Sequence, residues 1–166
     1  KGLNMTLSVN APELTPSLLD SLVASGPLRI IISFDGYDEK SYKEIRGEAA
    51  DYERASANIR YAASLVRAGL PGTKISLRII RLNRNDARID DFKRHWESSG
   101  LLVEVREFFP WTEKELTSLG IVKKYPPFMP CPFPWQYLVV QWDGTVVPCC
   151  RDYNGVNPMG NVRGAS

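Results

Sequence analysis

Residues 28–34, Leu28-Arg29-Ile30-Ile31-Ile32-Ser33-Phe34, form a nearly continuous apolar, β-branched run that Asp35-Gly36 closes. A run of that length and composition reads as a strand covered on both faces, the pattern of a parallel sheet flanked by helices. Outward from it, residues 75–82 (ISLRIIRL) repeat the pattern, and residues 3–9 (LNMTLSV) and 101–108 (LLVEVREF) supply two shorter strands. Helical spacing fills the gaps. Pro12 and Pro16 introduce a helix with Leu18, Leu19, Leu22 and Val23 on one face, and Gly26-Pro27 ends it. After Asp35-Gly36 a polar helix runs to Arg46-Gly47, and the next carries Tyr52, Ala55, Ile59, Ala62, Ala63 and Val66 up to Gly69. A last helix opens at Asp86 or Asp90 and turns Ile89, Phe92 and Trp96 inward. Strand and helix in alternation, with short connections, predict parallel strands joined by right-handed crossovers: a doubly wound sheet or part of a (β/α) barrel. Four strands alone leave long unpaired edges, so further strands are expected to join them.

The composition is that of an ordinary globular protein, and a formal net charge of +2 is too close to balance for nucleic acid or an anionic membrane surface to be the main partner. No apolar run approaches the roughly 20 residues that span a bilayer. No secretory signal opens the chain, and the three cysteines, Cys131, Cys149 and Cys150, are an odd count; both point to a reducing, cytoplasmic setting and away from a disulfide framework. The chain opens on Lys1 and closes on Gly164-Ala165-Ser166 after a turn-rich stretch, which reads as a piece cut at both sides.

Near Pro110 the character changes. Pro110, Pro126, Pro127, Pro130, Pro132 and Pro134 crowd together, with weak helical spacing only around Glu113 to Leu119. The expected organisation is an α/β domain over residues 1–109, a proline-rich linker over 110–130 and a small module over 131–166. In that module, residues 136–142 and 145–147 flank Asp143-Gly144, a dipeptide that favours a tight turn with positive φ, so a β-hairpin is expected with Cys149 and Cys150 at its exit. Phe133, Pro134, Trp135 and Trp142 read as a small packed core behind that loop.

Ligand sites of parallel α/β architectures lie at the carboxyl ends of the strands, where Ser33, Asp35 and Asn83 stand. Singly, each also suits a helix cap or turn. Taken together, Ile32-Ser33-Phe34-Asp35-Gly36-Tyr37-Asp38-Glu39, followed by Tyr42 and Ile45-Arg46-Gly47, resembles the fourth strand and following helix of radical S-adenosylmethionine (SAM) enzymes. The resemblance covers roughly residues 3–108 and implies a portion of a partial (β/α)6 barrel with parallel strands. It places Val9-Asn10-Ala11 where the family reads Thr-Asn-Gly, with two of the three residues changed and no role carried over. It implies Ser33 and Arg46 as contacts to the ribose, amino or carboxylate groups of SAM, a hydroxyl and a fork-shaped cation suited to those groups. Asp35 and Asn83 are weaker candidates; Asp35 suits fixing the turn better than touching the cofactor. The Cys-x3-Cys-x2-Cys loop that holds the family's SAM-cleaving [4Fe-4S] cluster is not among the 166 residues.

The carboxyl-terminal segment carries a second resemblance. Cys131, twelve residues, Gly144, four residues, Cys149 is similar to the opening of the SPASM or twitch extension of radical SAM enzymes, where Cys-x(9–15)-Gly-x4-Cys supplies the first two ligands of an auxiliary iron-sulfur cluster. A turn at Asp143-Gly144 returns the chain on itself, and thiolates are the ligands such clusters require. Cys150 is the uncertain third ligand, since adjacent residues of an extended chain point apart. Asp152 could be a ligand, a substrate-facing acid or a turn residue, and the lone His95 reads as a helix-surface residue.

The combined resemblance implies an oxidoreductase-type radical SAM enzyme. Such an enzyme cleaves SAM reductively to a 5′-deoxyadenosyl radical that abstracts hydrogen from a small-molecule or peptide substrate, with electrons from a donor such as flavodoxin or ferredoxin. Peptide modification and sugar or aminoglycoside oxidation or epimerisation are the reactions it offers; the chain alone, without the three-cysteine loop, is expected to be inactive. Two other readings stay open. One is a non-catalytic α/β binding module with a structural zinc held by the cysteines; the other is a plain α/β enzyme whose cysteines are structural.

Overall fold

A computed structural model describes residues 4–108 and 131–164, which belong to two separate compact units. In the first, four parallel strands, β1 (Thr6–Asn10), β2 (Arg29–Ser33), β3 (Lys74–Arg81) and β4 (Leu102–Glu107), lie side by side in chain order. Helix α1 (Pro16–Ala24), preceded by a 3-10 turn at Ala11–Glu13, joins β1 to β2. Helices α2 (Glu39–Arg46) and α3 (Tyr52–Ala68) join β2 to β3, and α4 (Ile89–Glu97) joins β3 to β4. The registers run Asn10 beside Ser33, Ser33 beside Arg78 and Arg78 beside Glu104, so β1 and β2 end level with each other, while β3 and β4 run three residues further, to the Arg81–Glu107 pair. The alternation of strand and helix read from the sequence is what the unit displays.

Period-two alternation sorts the strand side chains onto two faces. Ile30, Ile32 and Phe34 of β2 and its exit, Ile75, Leu77 and Ile79 of β3, and Val103 of β4 pack with Leu19, Tyr42, Ile59, Ala62, Phe92 and Trp96 from the helices. All the helices therefore share one face of the sheet. The other face is largely polar, with Thr6, Ser8 and Asn10 on β1, Arg29 and Ser33 on β2, Ser76 and Arg78 on β3, and Glu104 and Arg106 on β4. Ile31 and Ser76 are nevertheless buried there, but Arg29 is exposed and Ser33 half-buried, so the second face of β2 is covered only in part.

Phe34 is the centre of the core. Its ring lies 4.9 Å from Tyr42, 5.6 Å from Tyr52 and 6.0 Å from both Phe92 and Trp96, which ties the end of β2 to α2, α3 and α4. Burying a phenylalanine contributes about 1.5–3 kcal/mol, and ring pairs of this geometry add to it.

In the second unit, helix α5 (Phe133–Gln136) precedes β5 (Val139–Val140), which pairs antiparallel with β6 (Thr145–Val147), and β6 pairs antiparallel with β7 (Gly160–Asn161). The strand expected over 136–142 is thus shorter, because prolines at the start of a helix preset its φ and turn Phe133–Gln136 into a helical turn. The packed aromatic core expected there is also absent: Trp135 is 80% and Trp142 91% exposed, while Phe133 stacks on Tyr137 at 4.9 Å. Four-residue α5 and two-residue β5 provide no second layer under which those rings could be buried. The weak helix around Glu113 to Leu119 and the proline-rich 110–130 stretch lie outside the described residues.

Candidate functional site

The first group of candidates gathers at the carboxyl end of the sheet. Asp35, 5% exposed, follows β2; its Oδ1 accepts the Ile80 N–H of β3 at 2.9 Å and its Oδ2 accepts Arg46 Nη2 at 2.6 Å. Arg46, in the last turn of α2, also donates through Nη1 to Asn10 Oδ1 at 3.2 Å. One carboxylate and one guanidinium thereby connect β1, β2, β3 and α2. Ser33 ends β2 half-buried, between Asn10 and Arg78 in register.

Local sequence explains why α2 delivers Arg46 here. Asp38 Oδ1 accepts the Ser41 N–H at 2.8 Å while Ser41 Oγ accepts the Asp38 N–H at 3.1 Å, a reciprocal capping box. The Ser41 N–H holds the Asp38 carboxyl below its ordinary value. Gly36 lets the chain lie against the helix: a Cβ there would stand 2.5 Å from Tyr42 Cα, so no larger residue fits without displacing backbone. The Asp-Gly-x5-Tyr part of the motif is therefore a packing requirement.

Asn83 is exposed, between Leu82 and Arg84 of the loop that follows β3. Its neighbour Asn85 does the structural work of the loop: buried, it accepts the Leu82 N–H at 2.8 Å and donates to the Ile80 carbonyl at 2.9 Å. Sequence reasoning passed over Asn85 and gave Asn10 no role. The signal for Asn10 was its place at the carboxyl end of β1, level with Ser33.

A cavity of about 230 Å³ opens at this end of the sheet, lined by Asp35, Glu44, Ile45, Ile80, Leu82, Arg84 and Phe108. It is below the roughly 300–1,000 Å³ of pockets that enclose a drug-sized ligand, so it can receive part of one. Its chemistry suits a nucleoside-like group: carboxylates accept from hydroxyl or amino groups, and Ile45, Ile80, Leu82 and Phe108 offer apolar surface to a ring. Ser33 and Arg46, the residues that the resemblance assigns to SAM, are not among its lining, and both oxygens of Asp35 are already taken by Arg46 and the Ile80 N–H.

The second group is the thiols. Cys131 and Cys150 are exposed, Cys149 is half-buried, and all three are free. Cys149 follows β6, and its carbonyl accepts the Asp152 N–H at 3.1 Å. Gly144, between Cys131 and Cys149, has φ +87°, and a Cβ there would meet Asn161 Oδ1 at 2.8 Å and Arg163 Cγ at 2.9 Å. The turn before it is fixed by Asp143 Oδ1 accepting the Thr145 N–H at 2.9 Å, a bond that lowers the Asp143 carboxyl. Asp152 resolves to a turn residue: its two carboxylate oxygens accept the Val156 and Asn157 N–H groups at 2.7 and 2.8 Å, and its carbonyl accepts Gln141 Nε2 at 3.0 Å. His95 is exposed, edge-on to Trp96.

Among the described residues no three Cys, His, Asp or Glu side chains converge to hold a metal. The donor chemistry nonetheless fits an iron-sulfur cluster, with free thiols at Cys149 and Cys150 in the turn after β6 and at Cys131 ahead of α5. On these residues the chain offers ligands to a cluster and not a complete set of four. No helix among the described residues is long and apolar enough to cross a membrane.

Comparison with known proteins falls on the same chemistry. Residues 131–166 match the SPASM family, an iron-sulfur cluster-binding domain. Over 58 residues, 35% of this chain, the sequence is 34% identical to an AdoMet-dependent heme synthase of Methanosarcina barkeri. The chain covers 17% of that protein's length. No solved structure matches the chain.

Proposed function

On the premise that the chain carries the marks of a radical SAM enzyme with a SPASM iron-sulfur extension, we propose that it forms part of a partial (β/α)6 barrel joined to an auxiliary-cluster module. The observation that carries this is the SPASM match over residues 131–166 with free Cys131 and Cys149 on either side of the obligatory Gly144 turn. Consecutive parallel strands with every helix on one face support the barrel, since a doubly wound sheet puts helices on both.

In such an enzyme a [4Fe-4S] cluster would supply the electron for reductive cleavage of SAM, and so the radical chemistry that abstracts hydrogen from the substrate. The residues of this chain bind and orient. Ser33 offers a hydroxyl to the ribose of SAM. Arg46, fixed by Asp35 and Asn10, keeps a guanidinium at the same strand ends, where it can meet the SAM carboxylate. Asp35 is the positioning residue for Arg46, and Asn83 is the exposed candidate of the group. Cys131 and Cys149, with Cys150 as the third candidate, ligate the auxiliary cluster. The substrate is a small molecule or peptide, and the electron donor a protein of the flavodoxin or ferredoxin type. Free thiols suit the reducing cytoplasm. The name of the heme synthase describes that protein's product; a shared 58 residues do not bring its substrate to this chain.

The test is anaerobic preparation of the intact protein with iron, acid-labile sulfide and zinc counted, beside Cys131→Ala and Cys149→Ala. We expect iron and sulfide in equal amounts and the loss of one cluster's iron and visible absorption in each variant. Stoichiometric zinc without iron would establish the structural-zinc module instead, and unchanged iron in both variants would make the cysteines structural.

A further inference from the structure

The polar face of the four-stranded sheet holds a cationic group that the cofactor reading does not use. Glu104 of β4, its side chain 14% exposed, accepts Arg29 Nη2 at 2.6 Å, Ser76 Oγ at 2.7 Å and Arg78 Nη2 at 2.9 Å. Arg106 Nη2 stands 4.0 Å away. Three guanidinium groups on three strands thus face one carboxylate, an excess of two positive charges. A carboxylate has about four acceptor positions and three are taken, so Glu104 cannot satisfy the group. The Arg78 Nε–H is buried and meets no acceptor among the described residues, whereas buried donors are ordinarily paired. Arg29 and Arg106 remain 48% and 63% exposed, so the face is open on its cationic side.

We propose that this face binds an anion carrying at least two negative charges, held by Arg29, Arg78 and Arg106, with Glu104 as the positioning residue that spaces the three forks. The planar guanidinium donors match carboxylate or phosphate oxygens, so the ligand is a polycarboxylate or a phosphorylated molecule. In the enzyme proposed above this ligand would be the substrate, but the binding site stands on its own geometry.

The experiment is calorimetric titration of the intact protein, without SAM, using tricarballylate and pyrophosphate as probes at low and high salt. One or both should bind, and Arg106→Gln and Arg78→Gln should each weaken binding about tenfold or more. Arg60→Gln, exposed on α3, should leave it unchanged. Binding of tricarballylate alone assigns a carboxylate ligand and of pyrophosphate alone a phosphate; both support the site. Arg78→Gln removes a partner of Glu104 and could unfold the sheet, so Arg106→Gln, already 63% exposed, is the deciding variant. No binding of either probe, wild-type affinity in Arg106→Gln, or equal weakening by Arg60→Gln overturns the proposal. Iron content and SAM cleavage are measured separately, so either reading can fail without the other.

Discussion

At Gly36 only a hydrogen atom fits, because the α2 backbone at Tyr42 occupies the place of a Cβ. Gly36→Ala should therefore cost about 1–3 kcal/mol, the usual result of overpacking, and lower the urea midpoint of the sheet unit; a midpoint equal to wild type would show that α2 shifts freely. Asp35 and Asn83 make a sharper contrast, since the sequence offers both as strand-end polar residues. Asp35 is buried and holds Arg46 and the Ile80 N–H, so Asp35→Ala leaves two donors without their acceptor and should cost about 2–3 kcal/mol. Asn83 is exposed, and Asn83→Ala should stay within about 0.5 kcal/mol. The same denaturation series reads both, and equal losses would mean that Asn83 has a partner in the intact protein.

Among the elements, α2 depends most on its ends. Its residues are largely polar, and the Asp38–Ser41 capping box with Tyr42 buried against Phe34 is what sets it in place. Asp38→Ala should cost about 1 kcal/mol and, on the SAM role proposed for Arg46, weaken SAM binding by the intact protein, because Arg46 rides on the far end of the same helix; equilibrium binding of SAM checks the second half. The order of strands and helices was legible because apolar runs and helical spacing report burial directly, and the core residues Ile89, Phe92 and Trp96 lie inward as their spacing predicts. The small module was less legible. Trp135 and Trp142 look like core residues to any reading by hydrophobicity, yet a unit of short strands has too little structure to cover them. Asn85 was missed in favour of Asn83 because capping depends on which of two nearby amides the chain turns inward. Arg29, Arg78 and Arg106 stand on β2, β3 and β4 in turn, far apart in the sequence. What they share became evident only once register placed Arg78 beside Glu104.

For the molecule as a whole, Glu104 couples separate strands to the solution pH. Burial pushes its carboxyl up, but hydrogen bonds from Arg78, Ser76 and Arg29 outweigh that and hold it at about 2, against an ordinary 4.5. A carboxyl whose value is lower in the folded state binds fewer protons there than in the unfolded chain, so it stabilises the fold fully above pH 4.5. That contribution, about 3 kcal/mol, is lost as the pH falls from 4.5 through about 2. Glu104→Gln removes the titrating group. It should destabilise the sheet at pH 7, while the gap between wild type and variant narrows progressively below pH 4.5. Hydrogen exchange at the β2, β3 and β4 amides reports on this unit alone, even if iron-sulfur clusters elsewhere are lost in acid. A gap that stays constant down to pH 2 would mean that the arginines gather for some reason other than this carboxylate. A gap that closes as expected leaves their excess positive charge, which one glutamate cannot neutralise at any pH, as the property of this sheet that an anionic ligand would use.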